Sequence, residues 1–177
     1  MNSCDPAMLY CRFIQSVVNH RRLDRLDQFL AADVVEHAPA RSVGLQAAQQ
    51  TLAGWLAAFP DLHLVIEDLV VDGDHLMARL TATGTHQGPL PGLVGGGAPA
   101  QPEGRPDVPA SADPEVALGA LAPTGKRVRV PDFEAWSVPD GRCVERWLQL
   151  DGCQLLRQLG LPLDAAVGRH EPPAGDA

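Results

Sequence analysis

The hydrophobic pattern of this chain changes period once, near Pro60, from that of helices to that of strands. Before that point, Asp5 and Pro6 form a cap and first-turn pair. Met8, Tyr10, Cys11, Ile14, Val17 and Val18 follow at three-to-four spacing, so a helix is expected to end near Asn19 and His20. Arg22 to Leu30 is expected as a second, short helix. Asp33 to His37 is expected as an extended piece stopped by Pro39, and Gly44 to Phe59 as a third helix ended by Pro60. After Pro60, His63–Val71, His75–Thr85, Arg127–Val138 and Arg142–Leu150 read as strands, with turns at Asp72-Gly73 and Pro139-Asp140-Gly141. A closing helix over Cys153–Gly160 is expected to be capped by Asp151 and stopped by Gly160. Helices first and a meander afterwards is an α+β order. A curved antiparallel sheet packed on the N-terminal helices would form a cone with an apolar interior, suited to a small molecule.

One stretch belongs to neither pattern. Residues 88–125 hold eight glycines and eight prolines and no aromatic residue. Such a composition cannot bury enough surface to offset its ordering entropy. The expected organisation is therefore a single domain over 5–161, interrupted by a flexible insertion at 94–121 and followed by a disordered tail at 162–177.

Charge and motif content exclude several functions. The balance of 14 Lys+Arg against 22 Asp+Glu, net −8, is opposite to what nucleic acid or an anionic membrane attracts. No apolar run reaches the roughly 18 residues that a membrane span needs. Met1 to Pro6 shows no basic segment leading into an apolar one, so a cytoplasmic location is expected. Cys4, Cys11, Cys143 and Cys153 match no zinc spacing and are expected as reduced thiols. His63, His75 and His86 lie at strand ends or turns, lack metal-ligand spacing and are expected at the surface. No phosphate loop, dinucleotide fingerprint or nucleophile elbow is present.

Six short segments carry a resemblance: Ala58-Phe59-Pro60-Asp61-Leu62, Thr83-Gly84-Thr85-His86-Gln87-Gly88, Pro123-Thr124-Gly125-Lys126-Arg127-Val128, Val138-Pro139-Asp140-Gly141-Arg142, Val144-Glu145-Arg146-Trp147 and Leu155-Leu156-Arg157-Gln158-Leu159-Gly160. Together, over about residues 8–90 and 122–161, the chain resembles the SnoaL-like polyketide cyclases and ester cyclases of the nuclear-transport-factor-2-like superfamily. The resemblance implies the cone-shaped fold, a homodimer through the outer face of the sheet, and cofactor-independent acid–base chemistry on a hydrophobic, polyketide-like small molecule. Cyclisation, isomerisation or hydrolysis would each fit. It also implies an acid/base Asp after the Trp of the last strand. That position is Leu148 here, and a His position of the preceding strand is Glu134. The alternative is a non-catalytic binding module of the same fold.

Strand parity supplies the remaining candidates. Arg146, Leu148 and Leu150 share one face, and Asp132, Glu134 and Trp136 share another, with Phe133 and Ala135 opposite. Carboxylates on a core-like face are either functional or part of a solvated ion pair. In the functional reading Glu134 is the general base and Arg146 its partner or an oxyanion ligand, while the resemblance, which implies a polar pocket residue after the short extended segment, makes His37 the acid or orienter. Trp55, Phe59, Arg79, Asp132, Trp136 and Leu148 are the expected substrate contacts. Trp147, of opposite parity to Leu148, is a candidate for the subunit interface. No metal is expected.

Overall fold

A computed structural model describes residues 5–38, 41–90 and 121–161. The expected tail at 162–177, and the expected insertion at 94–121 apart from Leu121, lie outside the described residues.

Helix α1 (Pro6–Phe13) starts where Asp5 accepts a hydrogen bond from the Ala7 N–H at 2.9 Å. It continues as a π-helical segment, Ile14–Asn19. Asn19 at its end is buried and joins both backbone groups of Leu64, donating to its carbonyl at 3.0 Å and accepting from its N–H at 2.9 Å. A 3-10 turn (Leu23–Gln28) stands where a second helix was expected. Phe29 lies beyond that turn and Leu30 already belongs to strand β1 (Leu30–His37), longer than the expected extended piece. A short strand β2 (Arg41–Val43) precedes helix α2 (Leu45–Ala58).

Strands β3 (His63–Asp72), β4 (His75–Thr85), β5 (Arg127–Ser137) and β6 (Cys143–Leu150) follow, then helix α3 (Gly152–Leu159). Asp151 accepts from the Gln154 N–H at 2.8 Å, and Gly160 takes the left-handed conformation that ends the helix (φ 82°).

The sheet order is β2-β1-β6-β5-β4-β3. It is the expected curved α+β sheet with one correction: β1 runs parallel to β6, and the other pairs are antiparallel. No local signal announces that pair, because more than a hundred residues separate its strands.

The concave face carries the core. Trp136 is buried there, edge-on to Tyr10 (ring centroids 5.0 Å apart) and to Phe13 (4.8 Å). The chain on either side of residues 91–120 is tied together. Leu90 and Leu121 exchange backbone hydrogen bonds of 3.0 and 3.2 Å, and His86 and the Lys126–Gly125 backbone do the same at 2.9 and 2.8 Å. Gly88 packs so closely on α2 that an added Cβ would meet the Ala57 carbonyl oxygen at 2.1 Å. His86, expected at the surface, is wholly buried against Phe59, its ring centroid 5.3 Å away. Across from it, the Thr124 N–H donates to His86 Nδ1 at 3.2 Å. No helix among the described residues is long and apolar enough to cross a membrane.

Candidate functional site

Between the concave face of the sheet, α2 and α3 lies a cavity of about 170 Å³. Its walls are mostly apolar: Leu52 and Trp55 from α2, Phe59 beyond it, Val130 from β5, Leu148 from β6 and Leu155 from α3. This composition follows from the inward rows of β5 and β6 and the inward face of each helix. Four ionisable residues also line the cavity: Glu36, Asp132, Glu134 and Arg146. All four are buried.

Register explains their grouping. Glu134 lies directly across from Leu148 on the neighbouring strand, and Asp132 across from Leu150. Glu134 thus puts a carboxyl beside position 148, on the adjacent strand. Glu36 of β1 pairs in register with Arg146 of β6. The Arg146 Nε–H donates to Glu36 Oε1 at 2.6 Å, its Nη2 donates to the same oxygen, and Ser42 Oγ donates to Glu36 Oε2 at 2.9 Å. The guanidinium also lies over Phe13 and Trp136, at 5.4 and 5.5 Å from their ring centroids. Arg146 is therefore committed to Glu36 rather than to Glu134 or to an open oxyanion position.

Glu134 accepts a hydrogen bond from Trp136 Nε1–H at 2.8 Å. Burial raises its pKa above the usual carboxyl range, and Arg146 opposes that rise. Asp132 has one buried oxygen, Oδ1, without a hydrogen-bond partner. Burial first, and the charge of Glu134 second, push its pKa up to about 8. Below both lies the buried, unpartnered Tyr10 hydroxyl, held well above the ordinary phenol range by burial and by the two carboxyls. Near neutral pH the cavity floor therefore holds one closed ion pair and a carboxyl that is mostly a neutral acid but can ionise.

The structure gathers Glu134, Arg146, Asp132, Trp55, Phe59 and Leu148 around the cavity, as the sequence suggested. It moves three other candidates away. His37 is corrected to the outer face: it bonds Glu145 Oε1 at 2.8 Å and stacks on Trp147 (4.8 Å, 9°), because Glu36 and not His37 shares the inward parity of Val34. Arg79 is exposed on the outer row of β4, opposite Phe133. Trp136 is a core residue that touches Glu134 from below and does not line the cavity. Glu36 was missed, although the alternation Val34-x-Glu36 carries its signal. Cys143 is buried, and burial pushes its thiol up to about 12, which leaves it inert. Among the described residues no His, Cys, Asp and Glu group is arranged to hold a metal.

A pH prediction follows from Asp132. Between the ordinary carboxyl pKa near 4 and its folded value of about 8, the native state keeps a proton that the unfolded chain releases. Stability then falls as pH rises through that window, by up to about 1.4 kcal/mol per pH unit. Asp132→Asn should flatten the slope and make the protein more stable than wild type at pH 8. Equal slopes for the two proteins in denaturant titrations from pH 5 to pH 8 would refute this.

Comparison with known proteins comes from two directions. The family model described as SnoaL-like polyketide cyclase matches residues 8–159. Among solved structures, TsrD from Streptomyces laurentii aligns with a TM-score of 0.68 and 24% identity, covering 92% of this chain and 99% of its own. Wild-type IdmH from Streptomyces antibioticus gives 0.63 and 23%, covering 89% of this chain and 99% of its own. A SnoaL-like polyketide cyclase from Agrobacterium tumefaciens gives 0.63 and 22%, covering 88% and 98%. These likenesses concern the fold. The comparison with curated proteins gives no match.

Proposed function

Since the chain belongs to the SnoaL-like polyketide cyclase family, we propose that it is a small-molecule enzyme of the cyclase or isomerase type, in which Asp132 and Glu134 move protons on a compact apolar substrate. The observation that carries this reading is the unpartnered Asp132 Oδ1 in the cavity wall, with Glu134 beside it on the same strand face. A carboxyl with a pKa near the working pH is suited both to take a proton from carbon and to return it to oxygen. Asp132 exchanges the proton with the substrate. Glu134, anchored to Trp136, sets the field in which Asp132 ionises. The Glu36–Arg146 pair fixes the floor, and Trp55 and Phe59 hold the ring of the ligand.

Proton transfer can be tested without the natural substrate. Phenylacetone in D2O should lose its benzylic protons faster with the protein present, as followed by NMR. No acceleration, with the ketone shown to occupy the cavity, would refute the catalytic role. That result would favour a binding module of the same fold, for which Leu148 at the family's acid/base position is the supporting observation.

The same reading makes the outer face of the sheet the contact between two copies. Met77, Ala135 and Trp147 stand side by side across β4, β5 and β6, and Met77, Phe133 and Trp147 are 63%, 49% and 43% exposed. Light scattering should report a dimer that Trp147→Glu converts to a monomer. A monomeric wild-type protein would end that proposal.

A further inference from the structure

We infer that the cavity selects a protonated amine carrying one ring over a carboxylate or an alcohol of the same shape. This rests on the reading of the cavity as a small-molecule site but not on any catalytic step. The inventory of charge comes first. Of the ionisable residues lining the cavity, three are acids (Glu36, Asp132, Glu134) and one is a base (Arg146). That base is engaged through Nε and Nη2 on a single oxygen of Glu36. A bound carboxylate would find no uncommitted cation among the described lining residues and would face two carboxyls, which is a strong penalty in a site of low dielectric.

The hydrogen-bond inventory points the same way. Asp132 is only 7% exposed, its Oδ1 has no partner, and it lines the cavity. A buried acceptor without a donor is costly to leave unmade. An ammonium group brings three donors and a positive charge, whereas a ketone brings none and an alcohol one uncharged donor. Trp55 and Phe59, nearly parallel at 6.1 Å, add aromatic wall of the kind that favours organic cations. A dry cavity of roughly 150 Å³ accepts one benzene ring, so a cavity of about 170 Å³ fits a single-ring ligand.

The groups facing Asp132 can be named element by element. They are Glu134 on its own strand, Arg146 on β6, Glu36 on β1 and Tyr10 on α1, while the lining residues of α2, α3, β3 and β4 are uncharged. Near neutral pH Asp132 is mainly protonated, and an ammonium beside it would drive it to ionise. Amine binding at pH 7 is therefore coupled to release of nearly one proton to solvent.

The test is calorimetric titration at pH 7 with benzylamine, benzyl alcohol and benzoate, each in two buffers of different ionisation enthalpy. Benzylamine is expected to bind at least tenfold tighter than benzyl alcohol and to release close to one proton, with benzoate the weakest. Asp132→Asn is expected to bring amine and alcohol within threefold of each other while still binding the alcohol. Benzoate binding as tightly as benzylamine, or an amine preference that survives Asp132→Asn, would overturn the inference. Equal binding of all three would overturn charge selection and leave the small-molecule site standing. Failure of all three to bind at millimolar concentration would overturn both.

Discussion

Arg146→Leu is expected to destabilise the protein by about 3–5 kcal/mol, enough to remove a large part of the stability of a typical domain. The reason is the state of its partner. The side chains of Arg146 and Glu36 are 4% and 2% exposed, and every bond from the guanidinium that the structure shows goes to Glu36. Without the cation, Glu36 must either remain charged in an apolar surrounding or take up a proton, and both are costly. Glu134 loses the neighbour that most favours its ionised form. The control is the double variant Glu36→Gln with Arg146→Leu. Removing both charges should recover more than half of the loss, because well-packed neutral groups replace buried ion pairs at little cost. A loss below about 1 kcal/mol in urea unfolding of the single variant would show the pair to be energetically idle.

Asp132→Asn is expected to lower the benzylic exchange rate of phenylacetone by 100- to 10,000-fold, the usual worth of a positioned general base. Asparagine keeps the shape and removes the proton exchange, so the apparent affinity for the ketone should change little while the rate collapses. Glu134→Gln should behave differently. The amide oxygen can still accept from Trp136, so the floor stays in place. What disappears is the charge that raises the Asp132 pKa. In the wild-type protein exchange should increase with pH through about 8, where Asp132 becomes the carboxylate that abstracts the proton. In Glu134→Gln that increase should shift to lower pH. A collapse of rate in Glu134→Gln with an unmoved profile would make Glu134 the base and Asp132 its partner.

Much of the site was legible in strand parity. Asp132-x-Glu134 on one strand and Arg146-x-Leu148 on the next are read correctly from alternation alone, because both strands have one buried face. The same rule applied to Leu76-x-Ala78-x-Leu80 would have turned Arg79 outward, and applied to Val34-x-Glu36 would have exchanged His37 for Glu36. Neither expectation used register: Arg79 rests on being the only charge inside its strand, and His37 on the family resemblance. Other features could not be read locally. The partner of Arg146 depends on a parallel strand pair 110 residues apart in the chain. The burial of His86 depends on two segments that meet only after folding. The caps at Asp5 and Asp151 and the stop at Gly160 needed no such information, since each acts within one helical turn.

The parallel contact between β1 and β6 has a bearing on how the protein comes into being. During synthesis, β1 is complete long before Arg146 has been made. Until then its inward carboxylate has no cation to enter the core with, and its β6-facing side remains an open edge able to pair with another chain. Wrapping the first strand around the rest is thus a late event, and pairings so distant in sequence form slowly. A ribosome stalled before β6 would hold a chain with an unfilled sheet and an acidic residue kept in water. Recovery of soluble protein should depend sharply on whether that last strand is present.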